Sequence, residues 1–124
     1  MVSGTTPTLI INANIGVDEI MEMWVTFSNT LYKELLTKKL SDCVIAENQL
    51  LLKLSQEDTI SLNPNNSEIE IYVQIRVLTK NDIAFASKIY KLPISKLLKE
   101  GIIYAHSVWF GNQRWNQYWI EWER

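Results

Sequence analysis

The chain has 124 residues, of which 47% are hydrophobic and 21% are charged, and its formal net charge at pH 7 is −2. These values are typical of one ordinary globular domain and exclude a disordered or fibrous protein. The slight negative charge and the scattered Lys and Arg residues argue against binding to a phosphate backbone, and the single cysteine excludes an internal disulfide.

Alternating apolar and polar residues predict short β-strands in the first half of the chain. We expect these strands at residues 8–13, 22–28, 43–46 and 49–54. In the second of them, Met23, Val25 and Phe27 share one face. The last two are expected to meet at a tight turn at residues 47–48. Residues 31–38 fit either a strand or a helical turn, because their apolar spacing suits both.

The middle of the chain carries its clearest strand, at residues 68–79. Aliphatic residues take alternate positions there: Ile69, Ile71, Val73, Ile75 and Val77. Because successive side chains of a strand point to opposite faces, this pattern predicts one face in a core and one largely polar face in water. Just before it, residues 55–58 have the spacing of a capping box, which predicts one short helical turn.

Two further elements are expected in the body of the domain. Residues 83–92 predict its last strand, ended by Pro93, which cannot donate to a ladder. Residues 95–100, followed by Gly101, suggest a brief helix with a glycine stop. Roughly seven short strands at this spacing favour an all-β fold, namely an antiparallel immunoglobulin-like β-sandwich.

We assign this β-sandwich domain to residues 1–103, and residues 104–124 to an aromatic C-terminal extension. The extension holds four of the chain's five tryptophans. Large aromatic side chains bury the most surface per residue and dominate interfaces, so we expect the extension to pack on the domain or on a partner protein. The predicted partner-binding residues are Trp109, Phe110, Trp115, Tyr118, Trp119 and Trp122.

The extension has two structural interpretations. Residues 102–110 and 113–122 would form a Trp-rich β-hairpin around a Gly111-Asn112 turn, because Trp, Tyr and Ile favour strands. Alternatively the extension contains a short helix. In that case Trp115, Tyr118, Trp119 and Trp122 would share one helical face.

Three roles are compatible with so much aromatic surface. It can form a protein–protein interface, between copies of the chain or with a larger partner. It can add strands that complete the sandwich core. Its flat rings can also stack on sugars, with Asn and Gln side chains nearby. We expect no membrane partner, because residues 104–124 are net neutral and lack the basic face that draws a helix to anionic lipid.

No catalytic or metal-binding constellation stands out. A general base needs an acid or a nucleophile arranged beside it, and a structural role is favoured for His106, the only histidine. The apolar residues after Cys43 favour a small core residue over a reactive thiol. The acids Asp18, Glu19 and Glu22 lack the spacing of a calcium loop. We therefore expect no enzymatic activity, no cofactor and no metal.

The first residues have neither the basic start nor the apolar run of a signal peptide. No apolar run is long enough to span a bilayer. Synthesis in a reducing cytoplasm is therefore expected.

Several short motifs stand between residues 22 and 103. They are Phe-Ser at 27–28, Leu-Ser-Gln-Glu-Asp-Thr at 54–59, Val-Gln-Ile-Arg-Val at 73–77, Ala-Phe-Ala-Ser at 84–87 and Leu-Lys-Glu-Gly-Ile-Ile at 98–103. Together they resemble small structural-type proteins encoded by tailed bacteriophages and prophages. The resemblance implies a virion or assembly component with an immunoglobulin-like sandwich and no enzymatic activity. Asn29 stands where that family more usually has Gln, and the Trp-rich segment after residue 103 lies outside the resemblance.

Our first hypothesis is a non-enzymatic phage virion or assembly protein that docks through its aromatic C-terminus into a symmetric assembly. Its partners would be other copies of the chain or other phage structural proteins, and not nucleic acid. It would be made in the host cytoplasm and end in the virion. The alternatives are a phage-encoded protein-binding inhibitor of a host defence factor and a carbohydrate-binding module.

Overall fold

The computed structural model describes residues 1–12 and 15–103, together with the backbone of residues 117–121. Within these ranges the strands are β1 (Thr8–Asn12), β2 (Ile20–Ser28), β3 (Glu34–Lys39), β4 (Val44–Ala46), β5 (Gln49–Lys53), β6 (Ile69–Thr79), β7 (Ala84–Ala86), β8 (Tyr90–Ile94) and β9 (Gln117–Glu121). The helices are short: α1 (Gln56–Ser61) and two 3-10 turns, Val17–Glu19 and Leu40–Asp42. The predicted all-β fold class is confirmed.

The strands form two sheets in a sandwich-like arrangement. The four-stranded sheet has the order β4-β5-β1-β9, and the five-stranded sheet has the order β3-β2-β6-β7, with β8 also paired to β6. The ladders between these strands are antiparallel, with one exception: β9 runs parallel to β1. The chain therefore changes sheet between β1 and β2, between β3 and β4, between β5 and β6, and before β9.

The core lies between the two sheets, as the alternation of residues predicts. In β6, the side chains of Ile71, Val73, Ile75 and Val77 are buried, while Arg76 is exposed. The other core residues come from both sheets, from the N-terminus, from the first 3-10 turn and from the residues that flank α1: Met1, Leu9, Ile11, Val17, Ile20, Met23, Val25, Phe27, Leu50, Leu52, Leu54, Leu62 and Ile94. Burying apolar side chains such as these is the dominant favourable term in folding.

Two local predictions from the sequence are confirmed. β4 and β5 form a hairpin in which Ala46 is opposite Gln49, and Glu47 adopts a φ of 56° in the tight turn between them. α1 begins with the predicted capping box. The Ser55 hydroxyl accepts a hydrogen bond from the Asp58 N–H at 3.0 Å, and the Asp58 carboxylate accepts one from the Ser55 N–H at 2.9 Å.

The ambiguous residues 31–38 are resolved as a turn followed by a strand. The Asn29 carboxamide oxygen accepts hydrogen bonds from the N–H groups of Leu31 and Lys33, at 2.9 and 3.0 Å. These bonds hold Tyr32 at a φ of 63°. The chain then pairs with β2 as β3, so the strand interpretation is correct from residue 34 onward.

The single strand predicted at residues 83–92 is wrong, because the chain forms β7 and β8 with a bulge between them. The pairing with β6 shifts by one residue between the Arg76–Ala86 pair and the Val73–Tyr90 pair. At the bulge, the Ser87 hydroxyl accepts a hydrogen bond from the Ile75 N–H at 2.9 Å. A side chain here completes the ladder where the backbone register breaks.

The prediction that Pro93 ends the strand is wrong, because Pro93 lies inside β8, opposite Glu70. β8 lies at an edge of the five-stranded sheet, where a missing N–H is tolerated. The Pro93 carbonyl accepts a hydrogen bond from the amino group of Met1 at 3.1 Å. The burial of that amino group lowers its pKa.

The helix suggested at residues 95–100 is absent, because the backbone groups of Ser95 and Leu97 bond to distant parts of the chain and residues 98–99 form a bend. Ser95 is bridged in parallel to Val2. The Asn66 carboxamide accepts a hydrogen bond from the Leu97 N–H at 2.7 Å and donates one to the Leu97 carbonyl at 2.8 Å. Backbone groups bonded in this way are not available for helical hydrogen bonds.

The predicted hairpin or helix after residue 101 lies mostly outside the described residues. Ile102 and Ile103 belong to no strand, and Gln117–Glu121 is strand β9, not helix. The turn expected at Gly111-Asn112 lies outside the described part of the chain.

Candidate functional site

Part of the aromatic extension is the outermost strand of the four-stranded sheet among the residues that the structure describes. β9 pairs with β1 along the full length of both strands. Two predicted partner-binding residues, Tyr118 and Trp119, fall in β9 and have Leu9 and Ile10 as their Cα partners. The other predicted partner-binding residues lie outside the described part of the chain: Trp109, Phe110, Trp115 and Trp122.

β1, the strand next to this edge, is apolar on both of its faces. Leu9 and Ile11 point into the core and are fully buried. Ile10 alternates to the opposite face of the sheet and does not belong to that core, yet it is only 4% exposed. Its Cα neighbours are Leu51 on β5 and Trp119 on β9. The outer face of this sheet is therefore covered at β1, where a solvated sheet face would carry a polar residue.

Two side-chain amides position the chain that leads to the extension. The Gln56 carboxamide accepts a hydrogen bond from the Ile103 N–H and donates one to the Ile103 carbonyl, both at 2.8 Å. The Asn66 carboxamide makes the same pair of bonds to Leu97. Gly4, at a φ of 74°, lies so close to Leu97 that a Cβ atom would come within 2.5 Å of a Leu97 methyl carbon. Residues 97 and 103 are thus fixed against the body of the domain.

A groove of about 580 Å³ runs between α1 and this fixed segment. Two of its polar lining residues are already hydrogen-bonded: Asn63 to both backbone groups of Ser67, and Asn66 to those of Leu97. The carboxylates of Glu57 and Glu100 lie along it. The apolar walls are Ile60, Pro64, Leu97 and Ile102.

The outer face of the five-stranded sheet carries exposed aromatic rings. Trp24 is 43% exposed, and the Arg76 guanidinium lies over its ring, 5.5 Å from the centroid. A shallow apolar groove of about 220 Å³ lies beside it, between Trp24, Leu78 and Ala84. At the far end of the same face, the ring centroids of Tyr32 and Tyr72 are 5.4 Å apart.

The edge at β4 is apolar and lies at the opposite side of its sheet from β9. Val44 and Ile45 are 64% and 60% exposed. Burial, and to a lesser extent the Asp42 carboxylate, raises the pKa of the preceding Cys43 to about 11. A reactive cysteine needs a lowered pKa, so the environment of Cys43 agrees with the interpretation of an unreactive thiol.

Two acidic residues considered in the sequence analysis, Glu22 and Asp58, have structural partners. The Glu22 carboxylate accepts hydrogen bonds from the N–H groups of Met23 and Leu40, at 2.9 and 3.3 Å. Asp58 caps α1 and forms an ion pair with Lys38 at 3.1 Å. Within the described ranges, His, Cys, Asp and Glu residues form no group of three able to hold a metal ion. His106 lies outside those ranges.

Sequence reasoning missed the surface around Trp24 and the two amide clamps. Trp24 had a readable signal, because it occupies the polar parity of a strand whose other parity is Met23, Val25 and Phe27. Gln56 and Asn66 had none, because their partners, Ile103 and Leu97, are distant in the chain.

Comparison of the chain with family models, with curated proteins and with solved structures gave no match. Separately, the helices in the described part of the chain are all too short and too polar to cross a bilayer.

Proposed function

We propose that the protein is a non-enzymatic structural protein of a tailed bacteriophage or prophage, which docks into a symmetric assembly through its aromatic C-terminal segment. The observation that carries this proposal is the position of β9 as the outermost strand of the four-stranded sheet in the described part of the chain. An edge strand offers a row of backbone N–H and C=O groups to another chain. The segment richest in aromatic residues thus contains an edge strand that is suited to protein contacts.

We also infer that the sandwich has an immunoglobulin-type strand arrangement. Such sandwiches place strands A, B, E and D in one sheet and C, F and G in the other, and some add a strand C′ beside C. The two sheet orders follow that plan if β1 takes position B and β9 takes position A. The remaining assignments are β2 to C, β3 to C′, β4 to D, β5 to E, β6 to F, and β7 with β8 to G. There are two departures: the strand at position A is the last of these strands along the chain, and it runs parallel to β1.

In the proposed assembly, the aromatic side chains are the anchors of the interface. They are Trp109, Phe110, Trp115, Tyr118, Trp119 and Trp122. Weak contacts that are repeated by symmetry become strong collectively, which suits a small domain of low net charge. The partners are other copies of the chain or other phage structural proteins, and the protein passes from the host cytoplasm into the virion.

Size-exclusion chromatography with light scattering tests this proposal on the native chain and on two Trp→Ala variants. Trp119→Ala should weaken association by about 2 kcal/mol or more, which is roughly 30-fold. Trp24→Ala is the matched control, because Trp24 lies on the other sheet, and this variant should assemble like the native chain. Unchanged assembly of Trp119→Ala, with only a lower melting temperature, would return the aromatic segment to the core of the monomer.

Mass spectrometry of purified particles tests the location of the protein. A structural protein should be present in them in a fixed ratio to other virion proteins. A chain found only in the soluble fraction of the infected host would instead support the phage-encoded inhibitor of a host defence factor.

One observation favours a second candidate, a carbohydrate-binding module. Trp24 and Tyr32 are exposed on one sheet face, which also carries the paired residues Thr26 and Gln74. Flat rings beside hydroxyl and amide groups suit the apolar faces and hydroxyls of sugars. A glycan array, followed by titration of tryptophan fluorescence, would test this candidate. Binding that is lost in Trp24→Ala and kept in Trp119→Ala would support it.

A further inference from the structure

β1 depends on a strand at its outer edge. It is buried on both faces, and on one side it pairs with β5 in an antiparallel ladder. On the other side lies only β9 in the described part of the chain. Without a strand there, β1 would expose unpaired backbone groups next to the apolar Ile10. An edge of that kind accepts an extended peptide.

The strand that fills this edge is separated from the body by a long stretch of chain. Ile103 is fixed to Gln56, and β9 begins at residue 117. A chain the length of residues 104–116 can reach at most about 45 Å. That reach exceeds the diameter of a small domain, so it does not confine residues 117–121 to the β1 edge of their own molecule.

We propose that β1 is an acceptor site for residues 117–121 of a second copy, so that copies are joined by exchange of their C-terminal strands. The inference rests on the assembly function proposed above and names the contact that would build it. The second copy is the occupant that reproduces the same ladder, with Thr8 opposite Gln117 and Asn12 opposite Glu121. Exchange of an identical element replaces each contact within a chain by the same contact between chains, which makes it a low-cost route to oligomers.

Disulfide trapping between full-length chains tests the exchange, in a Cys43→Ser background. One chain carries Thr8→Cys and the other Gln117→Cys, because neighbouring strands lie about 4.8 Å apart, within the Cα separation of a disulfide. The two chains are mixed and oxidised, and the cross-linked heterodimer is quantified. A second pair, Asn12→Cys with Glu121→Cys, covers the case in which the first pair perturbs the strand.

The matched control replaces Gln117→Cys by Lys53→Cys. Lys53 is the Cα partner of Thr8 on its other side, in β5, which is not exchanged. A single chain with both Thr8→Cys and Gln117→Cys should form an internal cross-link and so verify the register. The linker at residues 104–116 gives residues 117–121 an effective concentration on the order of millimolar at β1 of their own chain.

A second copy has to compete with this concentration. In dilute solution the fraction of chains in the heterodimer should therefore rise about tenfold for a tenfold rise in protein concentration.

Exchange is supported if both test pairs form heterodimer well above the Lys53 control and with this concentration dependence. It is overturned if neither pair exceeds the control, even where the native chain is oligomeric; the assembly function would then stand with the strand kept in its own chain. The reverse case is also distinguishable. Heterodimer formation by chains whose association is insensitive to Trp119→Ala would support exchange and contradict the proposed aromatic docking.

Discussion

Gln56 holds both backbone groups of Ile103 with one side chain. Its amide oxygen and nitrogen are each 2.8 Å from the N–H nitrogen and the carbonyl oxygen of a residue that is 47 positions away in the chain. The carboxamide thus acts like one rung of a β-ladder. Because Gln56 begins α1, the capped helix positions the point from which the aromatic extension departs.

Removing this clamp should loosen residue 103 without unfolding the domain. A typical hydrogen bond contributes about 1 kcal/mol net, so in Gln56→Ala the Ile103 amide should exchange its hydrogen roughly fivefold faster. Gln56→Glu should also accelerate exchange, because a carboxylate oxygen would then face the Ile103 carbonyl. Hydrogen exchange followed by NMR measures both. The Leu97 amide is the internal control, because Asn66 holds it and its rate should not change.

The Asn66 clamp should contribute more to stability, because it is partly buried and its backbone conformation is unusual. Asn66 has a φ of 45°, which glycine adopts freely and alanine does not. Asn66→Gly should lower the free energy of unfolding by about 1–3 kcal/mol through the lost hydrogen bonds. Asn66→Ala should lower it by about a further 1 kcal/mol. Urea denaturation measures both losses, and Asn65→Ala, at the exposed neighbouring residue, is the control. Equal losses for Asn66→Gly and Asn66→Ala would contradict the predicted cost of the positive φ.

Ser87→Ala should destabilise the protein although it removes only one oxygen atom. The Ile75 N–H, which lies in the core strand β6, would lose its hydrogen-bond acceptor. A buried donor left without a partner costs about 1–3 kcal/mol. The control is Ser61→Ala, whose exposed hydroxyl bonds the Asp58 carbonyl and can be replaced by water. Similar urea midpoints for the two variants would show that Ser87 does not complete the bulge.

The Cys43 thiol should react slowly at neutral pH. Its pKa is raised from 9.0 to about 11, first by burial and then by Asp42, so its thiolate fraction at pH 8 should be about 100-fold below that of a free thiol. Alkylation should be slow in the native protein and normal in urea, and Asp42→Asn should accelerate it in part. Because the pKa of Cys43 is higher in the folded protein, the neutral thiol contributes to the free energy of unfolding below pH 9.0. This contribution is lost as the pH rises toward about 11.

The site was predictable to a smaller extent than the fold. The density of aromatic residues predicted that the segment after residue 103 has a special role, since large rings are rarely left in water. It did not predict that Gln117–Glu121 would join β1, because parallel pairing between the two ends of a chain leaves no local pattern. Ile10 likewise appears in the sequence as part of an apolar run, and only its burial in the folded sheet shows that the outer sheet face is covered there.

The sequence by itself determined the elements whose causes are local. The alternation of β6, the capping box at Ser55 and the tight turn after Ala46 each depend on residues that are close in the chain. Tertiary structure alone decided the non-helical course of residues 95–100, the bulge at Ser87 and the strand beside β1. The physical reason is that each of these depends on hydrogen bonds to distant residues, such as Asn66 and Ile75, which satisfy backbone groups that local structure would otherwise have used.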